Sequence, residues 1–262
     1  MQLNFEAIVL SALKYGENSG IACLLTENHG IYKGLVRGIT GVKQRGLYQP
    51  GNLIEASWRA RLSEHLGNLT AGLLHAGGVA VMGEPLKLAA LSSMCSILEA
   101  TLQERDPAPK IYHYFKLFLG QLVHDNPGWQ ESYILLELEL LAQLGFGLEL
   151  SSCAATGLLE DLIYVSPKSG RAVCRDAGLP YHDKLLTLPS FILDSINTPS
   201  IMDATWQNSG SAPAAISQIN EGMNLCGYFL DKYFFAPHNI KHPNARARFA
   251  AMLKKESILE LA

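Results

Sequence analysis

The sequence predicts an α+β fold: an N-terminal OB-fold β-barrel over residues 1–80, then a mostly helical C-terminal domain over residues 81–262 with a hairpin knuckle inserted at about 148–178. Three observations predict it. The first 75 or so residues hold five short runs rich in Val, Ile, Leu and aromatics, parted by Gly, Asn and Pro turns. After residue 80 the strand signal stops and the segments read as helices. Between two of those helical stretches a strand–turn–strand pattern returns.

The five strands are "FEAIVLSAL", "GIACLLTE", "IYKGLVRG", "NLIEASWRARL" and "LTAGLLH", with "YGENSG", "ENHG", "GITGVKQRG", "YQPGN" and "HLGN" as turns. Five strands are too few for a sandwich and suit a small closed barrel. In the fourth, Glu55, Ser57, Arg59 and Arg61 alternate with Ala56, Trp58, Ala60 and Leu62. A period of two places both arginines on one face and Trp58 on the other, in the core.

The helical region opens with "EPLKLAALSSMCSILEATLQ", whose Pro suits a first turn. "PAPKIYHYFKLFLGQLVHD" and "GWQESYILLELELLAQLG" follow, the latter stopped at Gly145 or Gly147. "DLIYVS", the turn "PKSG" and "RAVC" predict the hairpin, with Cys153 before it and Cys174 at its end. "NTPSIMDATWQNSGSAP" reads as a loop, "PAAISQINEGMNLCGYFLDKYFF" as a long helix and "NARARFAAMLKKE" as a short basic one. There is no internal repeat and no low-complexity tract.

Apolar residues are 48% of the 262, enough for real cores. No run nears the roughly 18 apolar residues a membrane span needs, so no membrane partner is expected. The start, "MQLNFEAIVLSALKYGENSG", lacks a basic region and a small-residue cleavage site and reads as a first strand. Five cysteines without regular spacing suggest a reducing, cytoplasmic setting.

The net charge of -3 hides an uneven spread. Residues 1–80 hold seven Lys/Arg and five Asp/Glu, residues 81–231 eight and seventeen, and residues 232–262 six and two. Two basic ends therefore flank an acidic middle. Lys14, Lys33, Arg37, Lys43, Arg45, Arg59 and Arg61 are either ordinary solvated charges or a groove for a polyanion, since cations along a phosphate backbone release counterions. Tyr32 and Tyr48 lie close in sequence and could stack on bases. In the tail, Lys232, Lys241, Arg246, Arg248, Lys254 and Lys255 have no acid among them. They form a second contact or offset the acidic middle; Arg246 and Lys254, eight apart, could align on a helix. His238 and His242 sit in a proline-broken stretch without carboxylate or cysteine, so no metal role is expected. No G-x-x-x-x-G-K-[ST], H-E-x-x-H or G-x-S-x-G occurs, so neither catalysis nor a cofactor is expected.

The order of these pieces resembles the RecO family of recombination mediators. The opening "AIVLSALKYGENSGIACLLTENHGIYKGLVRGITGVKQRGLYQPGNLIEASW" is similar to that family's barrel, and "LAQLGFGLELSSCAATG" with "YVSPKSGRAVC" to its knuckle. The resemblance implies a non-enzymatic DNA repair protein of the cytoplasm and nucleoid. It would bind single- and double-stranded DNA, anneal complementary strands and, with RecR, load RecA onto DNA coated by single-strand-binding protein (SSB). An RNA-binding OB module and a pure protein adaptor are the alternatives. For DNA contact the candidates are the barrel cations with Arg246, Arg248 and Lys254. The acidic, apolar SSB tail would need an apolar pocket edged by cations; "PKIYHYFKLF" offers Lys110, Tyr112, His113, Tyr114 and Lys116, unless its aromatic stripe is core.

One departure is plain. Many members carry two Cys-x-x-Cys pairs in the knuckle and hold zinc there. Here the pairs read Cys153-Ala154-Ala155-Thr156 and Cys174-Arg175-Asp176-Ala177, each lacking its second thiolate. Structural zinc takes four ligands, so no zinc is expected.

Overall fold

A computed structural model describes residues 1–62, 65–197 and 213–260. The segment read as a loop, 197–213, lies almost wholly outside the described residues. Contacts group the chain into two compact units, residues 1–125 with 243–249, and residues 126–242 with 250–262.

The first unit opens with the barrel. Strands β1 (Gln2–Tyr15), β2 (Ser19–Thr26), β3 (Gly30–Arg37), β4 (Leu53–Arg59) and β5 (Gly67–His75) close in the order β1-β2-β3-β5-β4. One long strand serves two neighbours. β1 pairs with β4 over Gln2–Ile8 and with β2 over Ala7–Tyr15, and an irregularity between Val9 and Ser11 bends it from one to the other. β3 and β5 close the barrel in parallel at Gly34↔Gly67. A Cβ on Gly67 would lie 2.2 Å from the Trp58 indole, and one on Gly34 would lie 2.8 Å from Leu69 Cβ. Two bare backbones thus make room for Trp58, which is fully buried and donates its ring N–H to the Lys33 carbonyl at 3.2 Å. Ala7, Val9, Ala22, Leu24, Tyr32, Val36, Ile54 and Leu69 complete the interior.

"GITGVKQRG", expected as a turn, holds a short helix, α1 (Val42–Leu47). Its end plugs the barrel: Leu47 and Tyr48 join the core. Asn52 holds that end, its side-chain amide donating to the carbonyls of Gly46 (2.9 Å) and Leu47 (3.1 Å). Helices α2 (Pro85–Thr101) and α3 (Pro109–Val123) complete this part, each with Pro in its first turn as the sequence predicts.

The second unit holds α4 (Trp129–Gln143), the knuckle, α5 (Ser190–Asn197) and α6 (Ile216–Leu230). Gly145 ends α4 with φ +85°, the amide of Phe146 reaching back to the Leu141 carbonyl at 2.8 Å. The hairpin is β6 (Leu162–Val165) and β7 (Ala172–Cys174), and a third strand not foreseen, β8 (Leu186–Thr187), pairs with β6. α6 runs into one π-helical turn at Asp231–Phe235. The basic tail helix, α7, is longer than expected, Asn244–Glu260. No helix among the described residues is long and apolar enough to cross a membrane.

Candidate nucleic-acid interface

The register of β1, β2 and β3 sorts the barrel cations. Residues directly opposite one another on paired strands share a face. Ala12–Ala22–Gly34 and Val9–Leu24–Tyr32 point inward. The alternate rows therefore point outward: Ser11–Cys23–Lys33, then Leu13–Ile21–Leu35, then Tyr15–Ser19–Arg37 at the barrel end. The first of these rows is covered. Ser11 donates to Glu99 at 3.0 Å, Cys23 is buried, and Lys33 pairs with Glu104 at 2.8 Å. That hydrogen bond to Glu104 holds the Lys33 ammonium above its ordinary range. The other two rows are open: Leu13, Tyr15 and Arg37 are exposed, and Ser19, Ile21 and Leu35 half-buried.

The same end gathers more charge. The β1–β2 turn meets the segment before α1, where the Ile39 amide donates to the Asn18 carbonyl at 3.1 Å. Arg45 in turn donates to the Thr40 carbonyl at 3.3 Å. Lys14, Arg37, Lys43 and Arg45 thus reach solvent around one barrel end. Within residues 13–20 and 35–48 only Glu17 opposes them.

Arg59 and Arg61 lie elsewhere. Arg59 pairs in register with Gln2 and donates to its side chain at 2.8 Å, so it marks the far end of the fourteen-residue strand that Tyr15 terminates. β4 stops at Arg59, and the expected alternation does not extend to Arg61, which lies in a bend. The outer face of β1, β4 and β5 forms a shallow groove lined by Asn4, Glu55, Ser57 and Thr70, with Glu6 and Glu55 opposite each other.

Other expected contacts change meaning. Tyr32 and Tyr48 are 7% and 2% exposed and belong to the barrel core, so neither offers a stacking surface. In the tail, Arg248 and Lys254 are exposed, whereas Arg246 is buried at 8% exposure and faces inward. Lys232 is engaged by the knuckle, donating to the Pro167 carbonyl at 2.5 Å and the Lys168 carbonyl at 3.2 Å. On α3, Lys110 is exposed and Tyr114 half-buried, but Tyr112 is buried and donates to Glu6 at 2.6 Å. Lys116 pairs with the same carboxylate at 2.7 Å. Glu6 therefore holds two of the five side chains proposed to receive an acidic tail, Tyr112 and Lys116.

Tyr15 is the residue the sequence reading passed over. It stands 61% exposed beside Lys14, at the last position before the β1–β2 turn. Its signal was an aromatic directly preceding Gly16, two positions beyond Leu13 and so on the same face of β1.

The knuckle does not fit zinc. The Cys153 sulfur accepts the Cys174 amide at 3.2 Å, and the Thr156 hydroxyl lies 3.6 Å from the Cys174 sulfur. Thr156 thus fills a ligand position with a hydroxyl, and backbone donors already serve the Cys153 sulfur. Among the described residues no group of three or more His, Cys, Asp or Glu is placed to hold a metal ion.

Comparison with known proteins agrees with this architecture. Residues 1–77 match the family model "Recombination protein O N terminal" and residues 82–240 match "Recombination protein O C terminal". The chain is 39% identical over 257 residues to "DNA repair protein RecO" of Rhodospirillum centenum, covering 97% of this chain and 96% of that one. It is 40% identical over 257 residues to the protein of that name in Gluconacetobacter diazotrophicus, covering 97% and 95%. With the namesake in Bartonella bacilliformis it shares 40% over 247 residues, covering 94% of each. On these matches, with the closed barrel and the helical region that follows it, the chain belongs to the RecO family.

Proposed function

We propose that this chain is a non-enzymatic mediator of DNA repair and recombination, acting in the cytoplasm at the nucleoid. It binds single- and double-stranded DNA through the basic end of the barrel and anneals complementary strands. With RecR it helps load RecA onto single strands coated by SSB. The observation that carries this reading is the meeting of Lys14, Arg37, Lys43 and Arg45 around one barrel end beside two open rows. Cations so placed neutralise phosphates on either strand form, and screening both strands favours their pairing. The exposed Arg248 and Lys254 of α7 are a second set available to phosphate. The names of the relatives, "DNA repair protein RecO", support the same reading.

The test is annealing of SSB-coated complementary strands, together with the salt dependence of oligonucleotide binding. Each lost phosphate contact lowers the log–log salt slope by about 0.7 on single strands. The variant Arg37→Ala/Lys43→Ala/Arg45→Ala is expected to lose about two units of slope and to anneal at least about ten-fold more slowly. Arg59→Ala/Arg61→Ala is expected to change both much less. The reverse ranking would move the site to the other end of the barrel, and unchanged binding in both variants would remove it from the barrel.

A further inference from the structure

We propose that the open outer rows of the barrel select single-stranded over duplex DNA, with Tyr15 stacking on an unpaired base and Leu13 extending the platform. This rests on the DNA-binding reading above and assigns its specificity to particular side chains. Among the described residues of the barrel, Tyr15 is the one exposed Phe, Tyr or Trp, at 61% exposure. Leu13, on the next row of the same face, is 66% exposed. Both sit on paired strand backbone, opposite Ser19 and Ile21, so presenting them to a ligand requires little new ordering. Ile21 and Leu35 continue the Leu13 row across three strands as a half-buried apolar strip.

Charge complementarity identifies the occupant. Arg37 stands on the Tyr15 row two strands away, about 10 Å at ordinary strand spacing. Lys14 lies between Leu13 and Tyr15 on the alternate row, opposite Gly20, and reaches solvent at the same barrel end. An apolar strip bordered by cations suits a ligand whose flat apolar faces alternate with anionic links, and an unpaired strand has that form. A duplex keeps its base faces inside the stack and offers the same surface only phosphates. The cations therefore serve both ligands, and the tyrosine row separates them.

The experiment measures anisotropy of a labelled strand of about thirty bases and of the blunt duplex of equal length, with the full-length protein. Tyr15→Ala is expected to weaken single-strand binding about ten-fold and duplex binding by less than about two-fold, with an unchanged salt slope. Tyr15→Phe is expected to bind as wild type, because the ring is retained. A second arm needs no variant: wild type is expected to bind a strand of abasic sites about ten-fold more weakly than the intact strand. Equal effects of Tyr15→Ala on both ligands, no effect on either, or undiminished binding of the abasic strand would overturn the inference while leaving the DNA-binding reading in place. Failure of the wild type to bind either ligand at low salt would overturn both.

Discussion

The Tyr112 hydroxyl and the Lys116 ammonium converge on one oxygen of Glu6, at 2.6 and 2.7 Å, joining α3 to the first barrel strand. Lys116, then Tyr112, hold the Glu6 carboxyl below its ordinary 4.5, outweighing partial burial. Burial, followed by Glu6 itself, pushes the phenol upward and keeps it a donor. A carboxyl depressed in the folded state contributes stability that is complete above its unfolded value and is lost as pH falls through its folded value. Stability is therefore expected to decline below about pH 4.5 more steeply in wild type than in Glu6→Gln. Tyr112→Phe is expected to lower stability at neutral pH by about 1–2 kcal/mol. Denaturant unfolding across this pH range checks both, and parallel pH profiles for wild type and Glu6→Gln would rule the linkage out.

Lys232 illustrates a cation turned to structure. Its ammonium meets two carbonyls of the knuckle turn and lies 4.6 Å from the centre of the Tyr233 ring. Lys232→Met keeps the apolar stem and removes the donors. It is expected to destabilise the protein by about 1–3 kcal/mol and to expose the "PKSG" turn to protease. Oligonucleotide affinity should stay within about two-fold of wild type, because the group does not face phosphate. A large affinity loss with unchanged stability would return Lys232 to the DNA-binding set.

Cys153 should titrate as an acidic thiol. Burial raises its pKa, but the Cys174 amide, the Thr156 hydroxyl and the amides of Thr156 and Ala155 together bring it down to about 6. Its folded value lies below the ordinary 9.0, so the thiolate contributes stability that is full above 9.0 and lost as pH falls through about 6. Ultraviolet thiolate absorbance, wild type minus Cys153→Ala, is expected to show a midpoint near 6, and the stability difference between the two should widen from pH 6 to 9. A midpoint near the ordinary thiol value would contradict the hydrogen-bonded arrangement.

The five barrel strands, the three helices from α2 to α4, the hairpin and the Gly145 stop were legible because each depends on local chemistry: alternation, Pro in a first turn, glycine at positive φ. α1 was not, since six residues with two glycines just before them carry a turn's signature, and what makes them a helix is the insertion of Leu47 and Tyr48 into the barrel. The alternation through Arg61 failed for a related reason: the ladder to β5 ends at Arg59 and the one to β1 at Ala60, which bonds Met1, so a pattern continuing in the sequence has no ladder at Arg61 to express it.

Residue order alone settled which family this chain resembles, where its barrel strands and most of its longer helices fall, and that its positive charge gathers at the two termini. It left open which cations act together, because a strand pairs with neighbours far along the chain. Register placed Arg37 on the row of Tyr15, gave Lys33 to Glu104 and put Arg59 at the opposite end of β1. Packing took Tyr32, Tyr48 and Arg246 inside. Charge and aromaticity are properties of a side chain, whereas exposure and neighbourhood belong to the closed barrel and exist only once it has formed.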